Sequence, residues 1–97
     1  MDPAGTEALQ DAIWHMHGLK SVWVESVDVH ETFNGETVWQ GQVQVFSVQH
    51  PKANRAYAWS HAVGDGGKRR FHAVLGMPPV VDAVTAVRAA IAAEGKR

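Results

Sequence analysis

The stretch Val27-Asp28-Val29-His30-Glu31-Thr32-Phe33-Asn34-Gly35-Glu36-Thr37-Val38-Trp39-Gln40-Gly41-Gln42-Val43 decides the fold. Asn34 and Gly35 both accept positive φ, so the centre of the stretch is a turn signal between two alternating strands. Strand one covers about residues 20–32 and strand two about 37–49. A plain two-residue loop would set Val27 and Val29 against Gln42 and Gln40, which mixes core and solvent on one face. One added residue repairs this. Val27 then faces Val43, Val29 faces Gly41 and Glu31 faces Trp39. Ser26, Asp28 and His30 oppose Gln44, Gln42 and Gln40 on the other side. A three-residue or bulged connection is therefore expected. Near Glu25 and Val45 the apolar set changes face on both strands, with Val24 expected opposite Phe46 and Val22 opposite Val48. A long twisted ribbon packing one face at its base and the other at its tip reads this way.

Outward from the hairpin, Leu9, Ala12, Ile13 and Met16 recur at helical spacing and predict a helix over about 6–17, with Thr6 as N-cap and Gly18 at its end. Residues 50–54 form a loop at Pro51, which removes a ladder donor. A third strand at about 55–63 alternates Tyr57, Trp59 and His61 with Ala56, Ala58, Ser60 and Ala62. Gly64-Asp65-Gly66-Gly67 turns the chain into a fourth strand at about 68–76. Pairing Val63 with Lys68 puts Phe71, Ala73 and Leu75 on the small-residue face. Tyr57, Trp59, His61, Arg70, His72 and Val74 share the other. Asp82 caps a last helix, whose stripe is Val80, Val84, Val87 and Ile91, with Ala83 and Ala90 beside it and Gly95 at its end. The fold class is α+β in the order α-β-β-β-β-α. A four-stranded antiparallel sheet with two helices packed on one face is expected, as a single domain over 1–97.

The chain has 97 residues, 45% hydrophobic and 20% charged, which suits one globular domain with a marginal core. Its lack of cysteine removes disulfides, thiolate nucleophiles and cysteine zinc sites. The opening MDPAGTEALQ has neither a basic n-region nor an apolar h-region, so no secretory signal is expected and the cytoplasm is the expected location. No apolar run approaches a membrane span. The net charge of −1 hides a split. Residues 1–48 hold seven acids and one base, and residues 49–97 hold eight bases and three acids.

Six histidines invite a metal reading, but His15 and His17 are two apart on a helix and point apart. His30-Glu31 is followed by Asn34 where a zinc-protease pattern needs histidine. His61 and His72 neighbour one another across strands three and four and could share a ligand, yet no third ligand is placed, so no metal and no cofactor are assigned. His30 with Asp28 or Glu31 is the best acid–base cluster, although a solvated sheet face shows the same pattern. Lys52, Arg55, Lys68, Arg69 and Arg70, with Tyr57 and Trp59, make a single-strand nucleic-acid platform the third reading; the neutral overall charge weighs against it. The leading expectation is a non-enzymatic binding module. Helices on one face would leave the other bare, so Trp39, Tyr57, Trp59, His61, Arg70, His72 and Val74 form the expected interface for a homodimer or a small-molecule ligand.

At Val29-His30-Glu31-Thr32-Phe33, Val38-Trp39-Gln40-Gly41, Val45-Phe46, His50-Pro51-Lys52-Ala53 and Tyr57-Ala58-Trp59-Ser60, the chain resembles a group of small uncharacterised bacterial proteins. It continues through Val74-Leu75 and Pro78-Pro79-Val80 into residues 86–91. Members of this group are similar to hypothetical proteins carried as gene cassettes in integrons. The resemblance spans most of residues 9–94. It implies a mobile, accessory bacterial gene product and brings no activity and no catalytic residue with it.

Overall fold

The computed structural model describes residues 5–63 and 66–94. The elements follow as α1 (Thr6–His17), β1 (Ser21–Phe33), β2 (Glu36–His50), β3 (Ala53–Val63), β4 (Lys68–Leu75) and α2 (Ala83–Glu94). The strands form one antiparallel meander in the order β1-β2-β3-β4. The α+β class and the element order agree with the sequence reading. Gly64, Asp65 and Gly95, read as turn and helix end, lie outside the described residues.

The hairpin register is the expected one through its outer half. Val27 pairs with Val43, Val29 with Gly41, Glu31 with Trp39, and His30 with Gln40. Asn34 and Gly35 take positive φ, and a bulge at Val38 supplies the added residue. Nearer the base the expected register is off by one. A second bulge, at Val24, sets Trp23 opposite Phe46 and Val22 opposite Ser47. Trp23 needs this shift to donate its indole N–H to Gln44 Oε1 at 2.8 Å. Beyond the pair Gln44–Ala58, β2 and β3 share no further register. The β1–β2 and β3–β4 hairpins diverge there as two arms.

The expectation of both helices on one face is wrong. α1 lies on the small-residue face, where Leu9 and Ile13 pack with Phe46, Val48, Ala56, Ala58 and Leu75. α2 lies on the opposite face, where Ala83, Ala86 and Val87 pack with Val29, Val43, Val45, Tyr57 and Trp59. Size matching is the physical reason. Large helix residues meet small strand residues on one side, and alanines of α2 approach the two large rings on the other. The helix stripes shift accordingly. Met16 is exposed and Thr6 is buried on α1. On α2 the buried set is Ala83, Ala86 and Val87, while Ile91 is exposed. Thr6 is the first helical residue and not the N-cap, which is Gly5 with positive φ and no side-chain bond. Gly18 closes α1 as expected, its N–H on the Trp14 carbonyl at 2.8 Å.

Asp82 caps α2. Its Oδ1 accepts from the Thr85 N–H at 2.9 Å and from the Thr85 hydroxyl at 2.8 Å. These two bonds hold the carboxyl below its ordinary pKa. Asp82→Ala is expected to cost about 1 kcal/mol of stability at pH 7. A depressed folded-state pKa means that the contribution is complete above the unfolded value, about 3.9, and disappears as pH falls through the folded value. Urea titrations at pH 7 and at pH 3 check this: the gap between wild type and variant should narrow at the lower pH.

Candidate functional site

Of the seven residues expected to form an open interface, α2 covers Tyr57, Trp59 and part of Val74, and Trp39, His61, His72 and Arg70 lie beyond it. Tyr57 and Trp59 are 6% and 3% exposed, sealed beneath α2. Val74 packs half-buried against the same cluster. The Tyr57 hydroxyl donates to the Val81 carbonyl at 3.2 Å. Burial, then the Asp82 carboxylate, pushes the phenol above its ordinary pKa. The placement of α2 is the reason: it fills the inner part of this face and leaves the outer end of β3 and β4 uncovered.

What emerges from under α2 is a row of rings. Trp39 meets Trp59 edge-on with centroids 5.9 Å apart. Trp59 stacks on His72 at 5.1 Å and 17°. His72 stacks on His61 at 5.2 Å and 18°. The half-buried imidazoles end the row, and Arg70 pairs with His61 in register on the exposed end of β4. Trp39 reaches Trp59 by lying over Gly41, where a Cβ would sit 3.1 Å from its Cη2. The glycine in the alternation thus makes space for a ring on its own strand.

Of the acid–base candidates, Asp28 and His30 share one face and line a concavity of about 350 Å³ with Gln40 and Gln42, and Glu31 stands apart from them. His30 Nε2 is 2.7 Å from Thr37 Oγ1, and Asp28 Oδ1 accepts from Gln42 Nε2 at 3.1 Å. Glu31 is on the other face, where Arg88 Nε donates to its Oε1 at 2.6 Å. That bond raises the Arg88 pKa. The single-strand platform also fails as drawn. Tyr57 and Trp59 cannot stack on bases from beneath a helix, and Arg55 lies at the opposite end of β3 from the Lys68–Arg70 run. Arg69 lies along the sheet surface onto Ser60, with bonds of 3.0 Å to Oγ and 3.1 Å to the carbonyl.

A site absent from the sequence reading lies at the other end of the sheet. Trp14 leaves the α1 stripe on its flank and is 50% exposed. It walls a groove of about 480 Å³ with Leu19, Lys20, Ser21, Val22 and Val48. A second concavity of about 320 Å³ lies against Trp14, Leu19, Lys20 and Ser21 with Gln10 and Asp11. Gln10 Nε2 donates to the Ser21 carbonyl at 2.8 Å and ties α1 to β1. The Ser21 hydroxyl is sequestered without a hydrogen-bond partner. Such a group normally finds one. The legible signal was an aromatic residue standing off the apolar stripe of its own helix. No family model, curated protein or solved structure matches this chain.

Gly41→Val is expected to push Trp39 off its bed and cost about 1–3 kcal/mol by overpacking. Circular dichroism checks the cause, because the exciton signal of the Trp39–Trp59 pair should fall while the strand signal stays.

Proposed function

We propose that this chain is a non-enzymatic binding module and that its ligand site is the groove beside Trp14. The observation that carries this reading is the half-exposed Trp14, which stands over a groove of about 480 Å³ between α1 and the base of β1 and β2. The groove volume falls within the range of small-molecule sites, about 300–1,000 Å³. Leu19, Val22 and Val48 provide apolar lining, Trp14 a flat aromatic wall, Gln49 a hydrogen-bonding group, and Lys20 a cation. The matching ligand has a flat apolar body and one acidic or hydrogen-bond-accepting end. The separate engagements of His30, Asp28 and Glu31 favour binding over acid–base catalysis. Among the described residues no helix is long and apolar enough to cross a membrane.

Self-association is the second reading, favoured by Val22 and Val24, which are exposed on the edge strand β1, Val22 lining the groove itself. A second copy covering this corner would bury them with Trp14, in place of the aromatic sheet face. The likeness to cassette-borne bacterial proteins fits an accessory role for either reading.

A thermal-shift series with indole-3-acetate and an anionic anilinonaphthalene dye tests the leading reading. A native-state ligand at about 100 times its Kd stabilises by about 2.7 kcal/mol, so melting should rise by about 10 °C or more. Trp14→Ser should stay folded, because Trp14 is half-exposed, and lose the shift. Equal shifts in wild type and variant would remove the groove as the site. Light scattering over a dilution series decides the second reading, with Val22→Asp expected to release monomer.

A further inference from the structure

We propose that His61 and His72 form a two-histidine chelate for one borderline divalent cation of the Zn²⁺, Ni²⁺ or Cu²⁺ class. The register sets Trp59 opposite His72 and His61 opposite Arg70, so the two imidazoles are diagonal neighbours on one face. Their Nε2 atoms are 3.1 Å apart. Two nitrogens bound at about 2.0–2.1 Å to one metal stand about 2.9 Å apart at a right angle and about 3.3 Å apart at the tetrahedral angle. The pair already spans a metal's bite.

The tautomers can be assigned from the partners. His61 Nδ1 is 3.3 Å from the Ala62 carbonyl, which can only accept, so the Nδ1 carries the proton. The neutral ring then presents a lone pair at Nε2, and the His72 Nε2–H donates to it. A cation takes the place of this shared proton: His72 Nε2 gives its proton to solvent while Nδ1 takes one up from solvent, so the neutral ring changes tautomer and its Nε2 lone pair turns to the metal. A ring nitrogen bonded to a backbone carbonyl is also the usual support behind a metal-ligating histidine. Trp59, stacked at 5.1 Å on His72, holds the second ring in place.

Two features bound the affinity and the choice of metal. No cluster of three or more His, Cys, Asp or Glu ligands exists among the described residues, so water completes the coordination. Arg70 opposite His61 brings a like charge near the cation. Micromolar binding follows, well short of a structural zinc site. Imidazole nitrogens select Zn²⁺, Ni²⁺ and Cu²⁺ over Mg²⁺ and Ca²⁺.

Calorimetric titration of the full chain, freed of metal with a chelator, tests the site with ZnCl₂, NiCl₂ and MgCl₂. The expected result is one equivalent of Zn²⁺ or Ni²⁺ at micromolar Kd and no heat from Mg²⁺. His61→Gln and His72→Gln should each weaken binding at least ten-fold, and His15→Gln/His17→Gln should leave it unchanged. Cu²⁺ should quench part of the tryptophan fluorescence, and His61→Gln should lose that part. His61→Gln keeps the Trp59–His72 stack, so it reports even if His72→Gln unfolds. No saturable binding, or an affinity unchanged in His61→Gln, would overturn the proposal.

Discussion

Four consecutive residues of β2, Val43, Gln44, Val45 and Phe46, are buried, and the rest of the structure depends on that. In a strand alternate side chains point to opposite faces, so a run buried without alternation requires cover on both sides. α2 closes the side of Val43 and Val45, and α1 closes the side of Phe46. Gln44 lies on the α1 side, and its Oε1 accepts from Trp23 at 2.8 Å and from the Ser26 hydroxyl at 2.6 Å. The buried polar group is thereby satisfied. The helices reach different lengths of the sheet. α1 takes the base, and α2 reaches the outer half of β1 through Arg88 and Glu31. The β1–β2 arm therefore has one face covered by α2, and Asp28, His30, Gln40 and Gln42 make its other face polar.

This arrangement was partly legible. The turn at Asn34-Gly35, the bulge and the pairing of Val27, Val29 and Glu31 follow from a single rule, that apolar side chains should share a face. The same rule detected that the apolar set changes sides near Glu25 and Val45. That change is the mark of two helices on opposite faces, and it was attributed to ribbon twist instead. The alanines of α2 held the second clue. A helix face made of Ala83, Ala86 and Ala90 fits poorly against Ala56 and Ala58, and fits well against Tyr57 and Trp59. Side-chain volume across the interface carries the information, and hydrophobic period alone does not.

The site residues were legible to different degrees. The register put His61 and His72 side by side, but ring orientation and tautomer are properties of packing around Trp59 and Ala62. Trp39, Tyr57 and Trp59 were recognised as aromatic neighbours and given the wrong environment, because exposure depends on where a helix ten or more residues away returns. The helical spacing places Trp14 on the flank of the α1 stripe, but the groove it walls with Ser21 is not legible, since a groove between a helix flank and a strand end has no sequence period. The charge split takes a spatial form. β1 carries Glu25, Asp28 and Glu31 on one edge of the sheet, and β4 carries Lys68, Arg69 and Arg70 on the other. Like edges repel, which discourages two-fold strand addition through either one. His17 adds to this on β4 with a 2.8 Å bond to the Ala73 carbonyl.

Nuclear Overhauser contacts from the helices to β3 test the two-sided closure most directly. β3 presents Ala58 to one face and Trp59 to the other, and both are buried. The account predicts contacts from the Ile13 methyls to Ala58 and from the Val87 methyls to the Trp59 indole, with no crossing between the sets. Contacts from both helices to Ala58, with a solvent-exposed Trp59 indole, would contradict it.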